Sequence, residues 1–496
     1  MNKNESEKLP VELLIKIFSY ASGLCGRYYL DTQTTGHYAP KLHIMAQVCR
    51  QWLEIIKAAP ELWTFVTDRD PKNAIVALDR SKSHPVGIGL REVPFNGSLY
   101  AVALNNSQRW VRADIRFSPS DQLALHELAE VSVPILQRLQ LEFFYWDEDT
   151  VFVSDLFRDH PPRLTSLDLI QVAIRQWNSP IFGPHLHSLK LTRLRTSNPT
   201  REDLWGIFHA CPELNHLELT HVNFSGEMPQ GPRVQLPLLA ALLLRPLSPS
   251  DAVDIARMIE TPRCRHYSVS RGLETPDALA LSAVALQVQP LFESCIASSS
   301  SLFVHLDGFW IRITCRRGEP PHSDFKLKLG KVGSCEKVLD WLIGIIARSP
   351  LLSPIPVDVH LEYRLQRSLS PSPSDLLRLS SVRSLTIADL YGYTNKLAES
   401  LSVPKDLEDG SDGWLWPGLR EVTIRDFDGP SATLLHMVKT RTDAAIRQKG
   451  TSSMSEIAML EKLEVRAGVF AVEEFEVIQA VLGDASVILP AKQDKQ

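Results

Sequence analysis

The sequence predicts an α/β chain: a solenoid of parallel strands with outer helices, preceded by a small all-α unit. Three observations carry that expectation. An apolar triplet in the form Pro-x-Leu-x-x-Leu-x-Leu recurs along the chain. Segments of helical period separate its copies, and the stretch 1–66 carries helix patterns with no copy of it. The expected divisions are an all-α unit at 1–66, a connecting segment with the first irregular repeats at 67–130, and the solenoid at 131–489, interrupted by an irregular insertion near 270–380.

The all-α unit begins at Leu9-Pro10-Val11-Glu12-Leu13-Leu14-Ile15-Lys16-Ile17-Phe18. Proline is tolerated in a first helical turn, where its missing N–H would have had no partner. Leu9, Leu13, Leu14, Ile17 and Phe18 then recur at three- and four-residue spacing, which predicts one apolar face. A second helix is expected over Leu42 to Ala58, with Val48, Trp52, Ile55 and Ile56 on one side. Pro60 stops it, and Leu62-Trp63 follows as a short apolar clamp.

These pieces, in this order, resemble the F-box: Leu-Pro-x-Glu-Leu-Leu-x-x-Ile-Phe, then Val48-Cys49-Arg50-Gln51-Trp52, then Pro60-Glu61-Leu62-Trp63. The resemblance runs from Met1 to Val66. It implies a three-helix unit that binds Skp1, and through it the cullin of a ubiquitin ligase. Leu9, Pro10, Leu13, Ile17, Val48, Cys49 and Trp52 are then the candidates for Skp1 contact. Gly23 to Lys41 is longer than the usual link between the helices. The alternative reading is a helical cap on the solenoid, with Leu13, Ile17 and Trp52 as its private core.

Copies of the triplet stand at Leu136/Leu139/Leu141, Leu164/Leu167/Leu169, Leu186/Leu189/Leu191, Leu214/Leu217/Leu219 and Leu239/Leu242/Leu244, each with proline two residues before its first member. Cys264/Tyr267/Val269 and Leu419/Val422/Ile424 follow with substitutions and keep the proline. Trp110/Ala113/Ile115, Val382/Leu385/Ile387 and Leu460/Leu463/Val465 lack it. Pro134, Pro162, Pro184, Pro212, Pro237 and Pro262 follow one another at the period of leucine-rich repeats, roughly 20–29 residues. The last two triplet positions lie two apart, so both point to one face of a short strand. Proline has no donor to give and belongs at the strand's entrance, outside the ladder. Helical patterns at Asp203–Phe208 and Ala252–Ile259 would return the chain to the next strand, and units of this kind stack on their neighbours. Between Ser270 and Arg378 the pattern falters: Phe309–Ile313 and Phe325–Leu329 alternate like strands, while Val338–Ile346 reads as helix. A strand is also expected at Pro85–Leu90 after the Arg80-Ser81 turn. The set resembles the divergent repeats of fungal F-box proteins, and the asparagine common in other leucine-rich repeats is mostly absent.

Residues alternating with the triplet should face an open, concave surface. They are mixed in sign, as Arg138/Gln140/Glu142 and Ser188/Lys190/Thr192 illustrate. That suits a protein ligand better than nucleic acid, which favours a continuous basic stripe. Arg245, Arg425 and Arg466 are the candidates for substrate contact. The net charge of −5 likewise points away from nucleic acid. The longest apolar stretch, Ala278–Phe292, is too short to span a bilayer and predicts a buried helix. Seven cysteines scattered singly, with no Cys-x-x-Cys, fit a reducing cytoplasm or nucleus and predict neither zinc nor a redox site. No phosphate-binding glycine loop, His-Glu-x-x-His or Gly-x-Ser-x-Gly is present, so no catalysis and no cofactor are expected. His185-x-His187 shows no acidic partner nearby in sequence, and Asp147–Asp149 reads as a solvated loop. Together these readings predict a non-catalytic subunit of a Skp1–cullin–F-box ubiquitin ligase that presents a protein substrate. The alternative is a repeat scaffold that takes no part in ubiquitination.

Overall fold

Several copies of the triplet fold as a tight turn followed by a strand. In the computed structural model, Leu136 donates its N–H to the carbonyl of Val133, Leu186 to Gly183, Leu214 to Cys211 and Leu419 to Trp416, at 3.1–3.2 Å. Proline follows the accepting residue in every one of these turns, at the second position, where its fixed φ is already that of the turn. The structure describes residues 9–22, 38–68, 70–90, 97–117, 122–143, 156–157, 162–174, 176–194, 199–245, 247–261, 263–269, 301–307, 310–316, 323–330, 357–362, 382–388, 393–403, 405–406, 412–414, 416–425, 431–448, 457–466, 472–483 and 486–488. It divides into two compact units, Met1–Leu236 and Pro237–Gln496.

The first unit opens with three α-helices, α1 (Val11–Ala21), α2 (Tyr38–Ala46) and α3 (Arg50–Ala58), and a 3-10 turn at Pro60–Trp63. Its strands are β1 (Phe65–Thr67), β2 (Val86–Leu90), β3 (Trp110–Phe117), β4 (Arg138–Phe143), β5 (Ser166–Ile170), β6 (Ser188–Thr192) and β7 (His216–Thr220). They pair in chain order, every pair parallel. Helices α4 (Pro71–Arg80), α5 (Gly97–Leu104), α6 (Gln122–Glu130) and α7 (Arg201–Ala210) lie between strands in the chain. The register stacks like on like: Leu139, Leu167, Leu189 and Leu217 form one row, and Leu141, Leu169, Leu191 and Leu219 the next. All eight are buried to within 2%. At about 1.5–3 kcal/mol for each fully buried leucine, this double row is a large stabilising term of the unit.

Local chemistry fixes where the helices start. Asp70 caps α4 by accepting the N–H of Asn73 at 3.2 Å. Thr200 and Asp203 form a reciprocal capping box on α7, with Asp203 N–H donating to Thr200 Oγ1 at 3.0 Å and Thr200 N–H to Asp203 Oδ2 at 2.9 Å. At the far ends of β5, β6 and β7 the residue just past the strand is left-handed: Gln171 at φ 56°, Arg193 at 50° and His221 at 51°. Gln171 and Arg193 each donate their N–H to the last carbonyl of the following strand, Thr192 and Thr220.

The second unit contains β8 (Ala241–Arg245), β9 (His266–Val269), β10 (Ser301–Asp307), β11 (Trp310–Arg316), β12 (Ser323–Gly330), β13 (Val357–Glu362), β14 (Val382–Ala388), β15 (Glu421–Ile424), β16 (Lys462–Val465) and β17 (Ser486–Ile488). Across the sheet the order is β8-β9-β12-β11-β10-β13-β14-β15-β16-β17. Every neighbouring pair is parallel except the two made by β11, which is antiparallel to both β10 and β12. The irregular stretch expected near 270–380 thus contains a three-stranded meander, laid into the sheet in reverse chain order. Helices α8 (Pro249–Met258), α9 (Tyr393–Ser402), α10 (Ser431–Gln448) and α11 (Val472–Leu482) accompany these strands.

Several expectations need correction. The single helix expected over 42–58 is two, because Cys49 is extended (φ −160°) and its Sγ caps α3 by accepting the N–H of Trp52 at 3.5 Å. Central residues of the open sheet face are not simply solvated. Gln140, Glu218, Leu243 and Glu464 are all buried. Neighbouring strands stand about 4.8 Å apart, so side chains from both sides close over the middle position. Asp147–Asp149, Ala278–Phe292 and Val338–Ile346 lie outside the described residues.

Candidate partner-docking site

Helix α1 carries apolar residues around more than one side. Leu14 (1% exposed) and Phe18 (0%) point inward and join Leu42, Ile55, Ile56, Ala59 and Leu62 in a single cluster. Trp63 and Trp52 pack against that cluster. Trp63 is pinned by donating its indole N–H to the Ile56 carbonyl at 2.7 Å, and the Trp52 ring centre lies 4.8 Å from that of Phe18.

The other apolar residues of this segment face out. Leu9 is 40% exposed, Leu13 46%, Ile17 47% and Val48 60%. Leu13 and Ile17 stand at four-residue spacing, so they form a stripe on the surface of α1, and Leu9 lies just before the N-cap, outside the helix. The five residues expected to share one face are therefore divided. Leu13 and Leu14 sit about 100° apart around the helix, as do Ile17 and Phe18, so one member of each pair enters the core while the other stays outside. Pro10 occupies the N-cap position of α1 (ψ 143°) and Cys49 is the exposed cap of α3. Leu9, Pro10, Leu13, Ile17, Val48 and Cys49 thus remain outside the core, while Trp52 is half-buried against it.

Residues 6–69 match the F-box-like family model. No curated protein matches the chain. The F-box-like segment thus coincides with α1, α2, α3, the 3-10 turn and β1, and its helices bury Leu14 and Phe18 rather than the Leu13 and Ile17 of a self-contained cap. No helix among the described residues is long and apolar enough to cross a membrane.

The arginines singled out on the open face separate into two places in the second unit. Arg425 and Arg466 immediately follow the neighbouring strands β15 and β16 and are both exposed. Arg466 Nε lies 2.7 Å from Glu464 Oε1, and Lys462 Nζ lies 3.0 Å from Glu464 Oε2. These two partners, Lys462 first, hold the Glu464 carboxyl below its usual range. Arg245 ends β8, with six strands of the sheet between it and Arg425, so it does not share a site with the other two.

The His185-x-His187 pair does have an acidic neighbour. Glu213, supplied by the next repeat, places Oε2 3.6 Å from His187 Nε2 and 4.0 Å from His185 Nδ1. Sequence spacing could not show it, because the carboxylate arrives from 26 positions downstream of His187 through strand stacking. All three side chains are about half exposed, and among the described residues no group of three His, Cys, Asp or Glu side chains is placed to hold a metal ion.

Proposed function

We propose that this chain is the substrate-recognition adaptor of a Skp1–cullin–F-box ubiquitin ligase. In this reading α1 and the Val48–Cys49 corner bind Skp1, residues 67–130 connect through the first irregular repeats to a leucine-rich-repeat solenoid at 131–489, and the open sheet faces hold a protein substrate. The observation that carries it is the exposed stripe of Leu13 and Ile17, with Leu9 and Val48 also exposed, on a segment whose own core is already filled by Leu14, Phe18 and Leu62. Several large apolar residues left exposed on one short segment mark a contact with another protein. The family match over residues 6–69 supports Skp1 as that protein. The chain's contribution to chemistry is proximity: it raises the effective concentration of substrate beside the transferring enzyme, with no active site of its own.

Co-purification with Skp1 tests the proposal. Wild type should carry Skp1 along, and Leu13→Glu/Ile17→Glu should lose it while keeping the wild-type circular dichroism and melting curve, since both positions are surface-exposed. A folded wild type that fails to retain Skp1 would overturn the adaptor reading and leave a repeat scaffold.

A further inference from the structure

Where the three short helices meet the first strand–helix repeat there is a cavity of about 320 Å3. Leu9, Leu13, Ile17, Val48, Cys49 and Trp52 do not line it, so it is separate from the apolar stripe. Its apolar wall draws on three elements: Leu53 and Ile56 from α3, Leu62 from the 3-10 turn, and Ala74 and Ala77 from α4. The volume lies at the small end of the range that organic ligands fill.

The charges on its lining are unequal. Asp70 is the one carboxylate, and it is committed to α4, accepting the Asn73 backbone N–H at 3.2 Å and the Asn73 side-chain amide at 2.6 Å. Opposed to it are Arg80 and Lys57, the latter 3.7 Å from Glu54 one turn earlier on α3. Arg80 is held by its flat side: its Cζ lies 4.5 Å from the centre of the Trp63 ring, and Trp63 is itself fixed through Ile56. A cation–π contact of this kind uses the guanidinium's charge and face, and consumes none of its N–H donors. A rigidly placed arginine above an apolar wall is the arrangement that takes a carboxylate with a hydrocarbon or aromatic body.

We infer that this cavity binds a small apolar carboxylic acid in its ionised form, with the body against Leu53, Ile56, Leu62 and Ala77 and the carboxylate on Arg80. The inference does not depend on the adaptor reading.

The test is isothermal titration of the full chain with octanoate, 1-octanol and octylammonium. Octanoate should saturate one site with Kd below about 1 mM. Octylammonium should bind at least about tenfold more weakly, because the lining is net positive. Arg80→Gln should weaken octanoate about tenfold and leave octanol unchanged, while Arg80→Lys should recover part of the loss. Val76→Trp, at a lining residue 39% exposed, should block all three without lowering the melting temperature. Leu13→Glu/Ile17→Glu should bind octanoate as wild type does, so loss of Skp1 binding and loss of ligand binding are read apart. Octanoate that fails to saturate a folded wild type would overturn the inference. So would equal binding of octylammonium, or indifference to both Arg80→Gln and Val76→Trp.

Discussion

Asp168 occupies the middle of the open sheet face in the first unit, between Gln140 on one strand and Lys190 on the next. Burial raises its carboxyl from 3.8 to about 6. Lys190 acts against that rise, and Glu218, Asp114 and Glu142 add to it. The Lys190 ammonium lies 3.7 Å away, too far to offset the lost solvation. Below pH 3.8 the carboxyl is protonated in both folded and unfolded chains and costs nothing. As pH rises towards 6 the unfolded chain releases its proton first, so the folded state loses stability, and above 6 the whole penalty remains. Asp168→Asn is therefore expected to stabilise the protein by about 1–3 kcal/mol at pH 7.5 and by almost nothing near pH 3.5, read from urea midpoints at the two pH values. Equal midpoints for both proteins at pH 7.5 would mean that Lys190 compensates fully. None of this was visible in the sequence, where Asp168 read as one of many outward polar residues. Its burial comes from neighbouring strands, and the pairing of those strands is not a local property. The same holds for Arg441, which lies on α10 yet is wholly buried, donating from Nη2 to the Trp416 carbonyl at 2.7 Å.

Among the elements, the strand-ending turns and the α7 helix make the clearest demands. His221 follows β7 at φ 51°, a conformation that costs an L-residue roughly 1–2 kcal/mol and glycine nothing. His221→Gly should be neutral or stabilising by up to about 1 kcal/mol, and His221→Val destabilising by about 1–2 kcal/mol, in equilibrium denaturation. If valine is tolerated as well as glycine, the turn is not held left-handed in solution. On α7, Trp205 lies against Gly231, where an added methyl would sit 2.7 Å from the indole. Gly231→Ala should cost about 1–3 kcal/mol and shift the Trp205 fluorescence, and an unchanged spectrum would show that the 226–233 segment yields instead. At this scale the sequence was informative where the signal is local. Proline followed by apolar residues at fixed spacing marks a turn and a strand, and parallel strands stand where that pattern put them. The outward residues Leu9, Leu13 and Ile17 were named one by one. The sequence could not separate them from the inward Leu14 and Phe18, because all five are apolar and only packing tells the two sides apart. The break at Gln47–Cys49 was missed for a related reason: cysteine is a weak helix cap and gives little warning.

At the level of the whole molecule, stability is distributed along stacked strands whose principal contacts are with their immediate neighbours. Each strand is held by its neighbours, and each unit carries its own rows of buried leucine and valine. Leu189→Ala, in the first unit, removes a fully buried side chain and should cost about 2–5 kcal/mol. Val422→Ala makes the corresponding cut in the second unit. Hydrogen exchange should show faster exchange confined to Met1–Leu236 for the first variant and to Pro237–Gln496 for the second. Acceleration throughout the chain for either variant would mean that the two units unfold as one.

The meander of the second unit has a consequence that is a matter of parity. Its middle strand, β11, runs backwards, but β10 and β12 both run forwards, so β9 and β13 find parallel partners on either side. An insertion of two alternating strands would have handed on a reversed edge, and the next repeat strand would have had to pair with it antiparallel. Three leave the direction of the edge intact. The parallel pairing is therefore resumed at β13, and β13 to β17 continue it to the end of the sheet.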